Sequence, residues 1–196
     1  MDQSDKLYGI CTQIAACSIC AADLPLGPRP VVRATASSRM LVIGQAPGRK
    51  VHASGVPWDD ASGIRLRQWM GVDADIFYDA TRIAIVPMGF CYPGTGKSGD
   101  LPPRPECAPH WHGPLLAGMQ KIELTLLIGQ YAQAYYLQGR RKGTLTETVS
   151  AWREYAPAYL PLPHPSPRNN IWLKRNAFFE REIVPHLQER VRAVLP

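Results

Sequence analysis

The sequence predicts an α/β fold, a three-layer α/β/α sandwich around a central, mainly parallel four-stranded sheet. Two observations support this prediction. Four short apolar runs, each bounded by turn residues, are typical of buried strands, and helix-like stretches lie between them. The 19 prolines among 196 residues also argue against an all-helical bundle, because proline interrupts helices and stiffens the connections.

Strands and helices are expected to alternate along the chain. The predicted strands are residues 40–44 (MLVIG), 82–87 (RIAIVP), 123–128 (ELTLLI) and 158–162 (AYLPL). The predicted helices are residues 62–70, 109–119, 130 to about 152, and 171–194. The chain contains no internal repeat, low-complexity tract or linker, so we predict a single domain over residues 1–196.

Composition and charge narrow the class of protein. Hydrophobic residues make up 45% and charged residues 19% of the chain, which is ordinary globular composition. No apolar run approaches the ~20 residues needed to cross a bilayer, and the N-terminus does not resemble an export signal. We therefore expect a cytoplasmic protein. The net charge of +6 suits a nucleic-acid partner, although charge alone is weak support for one.

The five cysteines are an odd number, which argues against a disulfide framework in this context. Cys17 and Cys20 form a C-x-x-C pair, and Cys91 and Cys107 enclose fifteen residues rich in proline and glycine. Two pairs of thiolates from separate loops suit a tetrahedral metal or an iron–sulfur cluster. The alternative is that they are reduced, partly buried thiols. Cys11 is left over and is expected to be structural.

Three loops are expected to converge, because parallel α/β sheets bind ligands at the carboxyl ends of their strands. They are Gly44-Gln45-Ala46-Pro47-Gly48, Pro87-Met88-Gly89-Phe90-Cys91, and the loop from His164 to Asn170. The first loop lacks the endings of a nucleotide P-loop and of a dinucleotide fingerprint. Either its amides face an anionic or carbonyl-rich ligand, or it is an ordinary turn.

Three side chains near these loops are candidates for function. Trp58 lies on the loop that leaves the first turn, where its indole either stacks on a base or packs in the core. His164 stands between two prolines, which suits a side chain that must be held in place during catalysis. Arg168 either contacts phosphate, fills the space left by an extruded base, or is a solvated surface charge. The strand ends show no paired carboxylates typical of a glycosidase.

The ordered set of motifs resembles the uracil-DNA glycosylase superfamily. Gly44-Gln-Ala-Pro-Gly48 leads to Gly55-Val-Pro-Trp58, and His164-Pro-Ser-Pro-Arg-Asn169 comes near the end. The layout is similar to that of the iron–sulfur-containing, fourth-family enzymes, whose motifs read G-E-A-P-G and G-R-P-F. Those enzymes carry the same cysteine spacing as the set Cys17, Cys20, Cys91 and Cys107. The last motif is closer to the H-P-S-P-R-N of the single-strand-selective monofunctional enzymes.

The resemblance implies a DNA repair glycosylase that hydrolyses the N-glycosidic bond of uracil, or of a related deaminated base, after base flipping. It assigns catalysis to His164 and Gln45, and DNA contacts to Ser166 and Arg168. The implied substrate-binding residues are Gly44, Ala46, Pro47, Gly48, Trp58, Met88 and Asn169. The implied ligands of a structural [4Fe-4S] cluster, with zinc as the alternative, are Cys17, Cys20, Cys91 and Cys107. The expected partner is damaged DNA, bound by a monomer.

The sequence departs from the family pattern around the first motif. Gln45 replaces the Glu of G-E-A-P-G, and Ala46 replaces the Asp of the first-family G-Q-D-P-Y, so this motif supplies no carboxylate base. Pro87 stands where fourth-family enzymes read uracil with an Asn, and Gly48 corresponds to the Tyr that excludes the thymine methyl. His52 is then either a water-positioning group or a solvent-facing residue. A non-catalytic or covalently trapping damage binder, or an unrelated small metalloprotein, stays an alternative.

Overall fold

A computed structural model describes residues 2–97 and 99–195. This part of the chain forms six strands: β1 (Met40–Ile43), β2 (Ile83–Ile85), β3 (Thr95–Gly96), β4 (Gly99–Asp100), β5 (Leu124–Ile128) and β6 (Tyr159–Leu162). Four of them form a sheet in the order β2-β1-β5-β6, and every neighbouring pair is parallel. The predicted central sheet is therefore confirmed, with each strand slightly shorter than its apolar run. The short β3–β4 hairpin lies where the sequence indicated only a loop.

Helices cover both faces of this sheet. They are α1 (Gln3–Ala15), α2 (Arg49–Ser54), α3 (Ala61–Met70), α4 (Ala74–Tyr78), α5 (Cys107–Ala117), α6 (Gln130–Leu137), α7 (Leu145–Ser150), α8 (Asn170–Arg175) and α9 (Val184–Val194). Buried side chains of α3, α4, α7 and α9 pack in one core, and those of α1, α5 and α6 pack in the other. The three-layer architecture is thus confirmed. None of the helices in the described residues is long and apolar enough to cross a membrane.

Alternation along β1 explains why the sheet has two cores. Met40 and Val42 point into the first core, whereas Leu41 and Ile43 point into the second. All four side chains are at most 1% exposed. A strand buried on both faces is apolar throughout rather than alternating, which is how this run appears in the sequence.

Two of the predicted helices are interrupted, so the predictions of continuous helices at 130–152 and 171–194 are wrong. In the first, α6 ends at Leu137, and Gln138 takes a positive φ of 44° in a glycine-containing connection. The chain re-enters a helix at Thr144, whose side chain accepts a hydrogen bond from the Glu147 N–H. In the second, Asn176 ends α8 by donating its side-chain N–H to the Trp172 carbonyl (2.8 Å). Helical periodicity in a sequence reflects the spacing of apolar residues. It does not reveal the local backbone conformations and side-chain hydrogen bonds that end a helix.

The two other predicted helices correspond to observed ones. The helix predicted at 62–70 is α3, which begins one residue earlier, after the capping side chain of Asp60. The helix predicted at 109–119 is α5, displaced by two residues towards the N-terminus so that Cys107 is its first residue. This displacement places Cys107 next to the loop that follows β2, because the backbone N–H of Phe90 donates to the Cys107 sulfur (3.4 Å).

Candidate active site

A cleft of about 430 Å³ opens at the carboxyl ends of the strands, a size typical of small-molecule sites. The loops after β1, β2 and β6 all contribute to its wall, as the topology predicts. The predicted site residues that line it are Gly44, Gln45, Ala46, Pro47, Gly48, Trp58, His164, Ser166, Arg168 and Asn169. Two carboxylates that the sequence did not single out, Asp60 and Asp100, line it as well.

The imidazole of His164 is held in one orientation by its own loop. The backbone N–H of Ser166 donates to Nδ1 (3.2 Å), so the proton of the neutral ring lies on Nε2. The side-chain amide of Asn169 donates to the His164 carbonyl (2.7 Å) and fixes the backbone of the same loop. Burial lowers the pKa of His164, which the nearby carboxylates of Asp60 and Asp100 partly offset. At neutral pH, His164 is therefore an uncharged hydrogen-bond donor.

Trp58 has an unusual backbone that brings its ring to the cleft. Its φ is +58°, a left-handed conformation that is rare for a bulky residue. Helix α3 can pack against Trp58 in this conformation because residue 63 of the helix is a glycine. A Cβ on Gly63 would lie 1.8 Å from the Trp58 carbonyl oxygen. The indole lies over Gly44, and its ring centroid is 5.6 Å from that of His164. The ring thus packs partly on the core and partly forms the wall of the cleft.

Gln45 uses its side chain to hold another segment of the chain. Its amide nitrogen donates to the Leu101 carbonyl (2.9 Å), immediately after β4. The backbone carbonyl of Gln45 accepts from the Gly89 N–H (3.0 Å), and this bond joins the loop after β1 to the loop after β2. Gln45 is therefore placed to orient the cleft walls.

Met88 and His52, both candidates from sequence, do not line the cleft. Met88 is 6% exposed and packs in the second core, and its backbone N–H is bound to the Gly44 carbonyl (2.9 Å). The ring of His52 lies against that of Tyr92, with centroids 6.0 Å apart. The physical reason is the same for both residues: their elements turn these side chains towards packing partners and away from the strand ends.

Pro87, two residues after the end of β2, lines the cleft. Its carbonyl accepts a hydrogen bond from Nε2 of the buried His112 (3.0 Å), and Nδ1 of this ring accepts from the Tyr136 hydroxyl. Burial lowers the pKa of His112 to about 4, so this ring is neutral at physiological pH. The sequence did not indicate His112, because a histidine within an apolar helix gives no signal of its hydrogen-bond partners.

The four cysteines proposed as cluster ligands line one small cavity beside the loop after β2. Leu24, Pro28, Pro30 and Phe90 complete its apolar wall. Burial raises the pKa of Cys107 to about 12 and also raises that of Cys91 and Cys20, mainly through desolvation. Cys11 does not line this cavity and packs against the second core.

The donor set of this cavity fits a thiolate-ligated cluster. Besides the four sulfurs, Arg104 lines the cavity, and its buried Nε has no hydrogen-bond partner among residues 2–97 and 99–195. A cluster sulfide is an acceptor for such a donor. Within the same residues, no three His, Cys, Asp or Glu side chains are arranged to hold a single metal ion. Cluster binding therefore stays a proposal based on the donor set.

The fold and the cleft together define an α/β protein with a neutral histidine donor at the strand ends of its sheet. A family model described as "Uracil DNA glycosylase superfamily" matches residues 32–188. This range covers most of the chain, and the chain therefore belongs to the uracil DNA glycosylase superfamily. Members of this superfamily are DNA glycosylases that hydrolyse N-glycosidic bonds, which indicates a role in DNA repair. The match includes the cleft motifs and begins after Cys17 and Cys20.

Proposed function

We propose that this protein hydrolyses the N-glycosidic bond of uracil, or of a related deaminated base, in DNA. The observation that carries the proposal is the hydrogen bond from the Ser166 N–H to Nδ1 of His164, which assigns the proton of the neutral ring to Nε2. A neutral ring in this state offers Nε2–H to an acceptor in the cleft. The base that leaves during glycosidic hydrolysis is such an acceptor, because negative charge develops on its carbonyl oxygen.

The chemical step needs stabilisation of two charges, on a sugar with oxocarbenium character and on a departing base anion. His164 would donate to the base carbonyl as this charge develops. A preorganised donor of this kind contributes ~10²–10³ in rate. The backbone amides of the turn from Gly44 to Gly48 would add further donors. Gln45 acts as a positioning residue, because its side chain is engaged with Leu101.

Access to the bond requires that the nucleotide leave the DNA stack. Trp58, half-buried at the wall of the cleft, would stack on the extruded base. Ser166 and Arg168 lie on the loop after β6, where they would contact the DNA backbone or brace the gap left by the base. The net charge of +6 favours binding to this polyanion.

Two residues of the cleft wall bear on the range of bases that the site would accept. Gly48 presents no aromatic ring against a methyl group, and a Cβ at this position would lie 3.3 Å from the Asp100 carboxylate. Pro87 offers no side-chain hydrogen bond to a base edge. We therefore expect a broader range of deaminated bases than uracil alone.

Cys17, Cys20, Cys91 and Cys107 would hold a [4Fe-4S] cluster, as in the fourth-family enzymes that this chain resembles. When bound, the cluster would supply structural cross-linking, because glycosidic hydrolysis involves no electron transfer. It would join the N-terminal segment to the segment that carries the β3–β4 hairpin.

Single-turnover excision from oligonucleotides that carry uracil, hypoxanthine, xanthine or a thymine mismatch tests this function. We expect cleavage at the resulting abasic site for at least one base. In His164→Ala, the single-turnover excision rate should fall by ~10²–10³. His110→Ala is a matched control, because His110 is an exposed histidine outside the cleft. Tight binding of damaged DNA with no base release by the wild type would contradict the proposal and favour a damage binder.

A further inference from the structure

We propose that Asp100 supplies the carboxylate that activates the attacking water, a role that rests on the glycosylase function proposed above. The first motif offers no carboxylate, because Ala46 and Gly48 stand there. Asp100 ends strand β4 of the short hairpin and lines the same cleft as His164. The acid absent from the strand-end motif would thus come from a different segment of the chain.

The two carboxylate oxygens of Asp100 have different surroundings. Oδ1 accepts a hydrogen bond from the Thr95 hydroxyl (3.3 Å), across the hairpin. The Thr95 hydroxyl is in turn bonded to the Tyr92 hydroxyl. Oδ2 lies 3.3 Å from the position that a Cβ on Gly48 would occupy, and so faces the first motif. One oxygen is therefore anchored while the other is directed to the cleft, which is the arrangement that an orienting base requires.

The backbone around Asp100 is fixed to the catalytic loops. The Leu101 N–H donates to the Gly94 carbonyl (2.8 Å), and the Leu101 carbonyl accepts from the Gln45 side chain. Gly99 has a φ of +135°, and a Cβ there would lie 2.0 Å from Nη1 of Arg168. The hairpin consequently rests between the first motif and the loop after β6.

Asp60 is the other carboxylate in the cleft, and its position suits a structural role. Its Oδ1 accepts from the Gly63 N–H (2.9 Å) and caps the N-terminus of α3. Asp100 lies on strand β4 instead, and it is exposed at the mouth of the cleft, where water has access. Both carboxylates lie near enough to His164 to raise its pKa against the effect of burial. Asp100 is therefore the acid whose placement suits water activation.

The reaction balances with these groups alone. The bond between C1′ and the base nitrogen breaks, and its electron pair leaves with the base, whose carbonyl accepts the hydrogen bond from His164. The water oxygen forms the new bond to C1′, and its proton passes to the Asp100 carboxylate. That proton then returns to solvent or to the released base, which regenerates the carboxylate.

The test compares Asp100→Asn and Asp100→Glu with wild type in single-turnover excision. We expect Asp100→Asn to lose ~10²–10⁴ in rate, the usual contribution of a general base, while damaged-DNA affinity and melting temperature change little. Asp100→Glu keeps the carboxylate and should retain more activity than Asp100→Asn. Asp59→Asn is a matched control, because Asp59 is exposed, carries the same charge and does not line the cleft.

The outcomes separate this inference from the proposed function. If the wild type excises the base and the rate of Asp100→Asn is within tenfold of the wild-type rate, the role of Asp100 is overturned and the glycosylase function stands. The same holds if folded Asp100→Glu is as inactive as Asp100→Asn. Failure of the wild type to release any base would overturn both proposals.

Discussion

The backbone N–H of Ser166 donates to Nδ1 of His164 over 3.2 Å, and this contact determines which imidazole nitrogen carries the proton of the neutral ring. Since Nδ1 is the acceptor, the proton of the neutral ring lies on Nε2. Burial lowers the pKa of His164, which keeps the ring in this neutral form at physiological pH. The loop sequence thus selects a tautomer as well as a position.

Removal of this N–H should impair catalysis without removal of the histidine. Ser166 has φ of −57° and ψ of 142°, which proline adopts without strain, so Ser166→Pro removes the donor and largely preserves the backbone. We expect a fall of about two- to tenfold in single-turnover excision, corresponding to one lost hydrogen bond of ~0.5–1.5 kcal/mol.

Ser166→Ala is the control, because it loses the hydroxyl and keeps the N–H. Nitrogen-15 NMR of the imidazole ring should report the Nε2–H tautomer in wild type and in Ser166→Ala. Equal excision rates for Ser166→Pro and Ser166→Ala would show that the tautomer is not what this loop provides.

Trp58 should contribute to binding more than to the chemical step. Trp58→Ala should weaken affinity for DNA with an extrudable damaged base by ~1–3 kcal/mol, the worth of one base stacked on an aromatic ring. Trp58→Phe keeps part of the stacking surface and should lose less. Fluorescence anisotropy with damaged and undamaged duplexes measures the difference. Tyr8→Ala removes an exposed aromatic ring on α1 and should leave both affinities unchanged.

Loss of any of the four cavity cysteines should remove the proposed cluster. We expect the purified wild type to absorb visible light and to contain iron and acid-labile sulfide in equal amounts. Alanine at Cys17, Cys20, Cys91 or Cys107 should abolish both and lower the melting temperature. Cys11→Ala should do neither, because Cys11 lies outside the cavity. A colourless wild type with one zinc ion would contradict the cluster while retaining the four-thiolate site.

The sequence was sufficient to predict the sheet and the meeting of its loops, because both follow from the apolar runs and from the geometry of parallel strands. It did not predict where helices break, since Gln138 and Asn176 act through local backbone geometry and hydrogen bonds. The Asp100 carboxylate was also missed. Its place in the cleft depends on the β3–β4 hairpin, whose strands have two residues each. This hairpin lies within a loop rich in proline and glycine, where neither periodicity nor a motif indicates the path of the chain.

Acid should destabilise the protein through His112, which packs in the core beneath Pro87. Its pKa is lowered by burial from about 6.5 to about 4, so the unfolded chain binds a proton within this range and the folded protein does not. The contribution of His112 to the free energy of unfolding is therefore complete above pH ~6.5 and is lost as the pH drops towards 4. At ~1.4 kcal/mol per pH unit, the loss approaches about 3 kcal/mol.

Replacement of His112 by glutamine isolates this effect, because the amide can donate to the Pro87 carbonyl but does not titrate. Urea unfolding of wild type and His112→Gln should be compared at several pH values between 4 and 7.5. His112→Gln should be less stable at neutral pH, because the ring no longer stacks on Phe90, whose centroid is 5.7 Å away. Its stability should nevertheless fall less on acidification, because glutamine does not titrate. A fall common to both proteins should remain, since His164 and His186 also have lowered pKa values and titrate in both. Parallel pH curves for the two proteins would show that His112 is protonated equally in the folded and unfolded states.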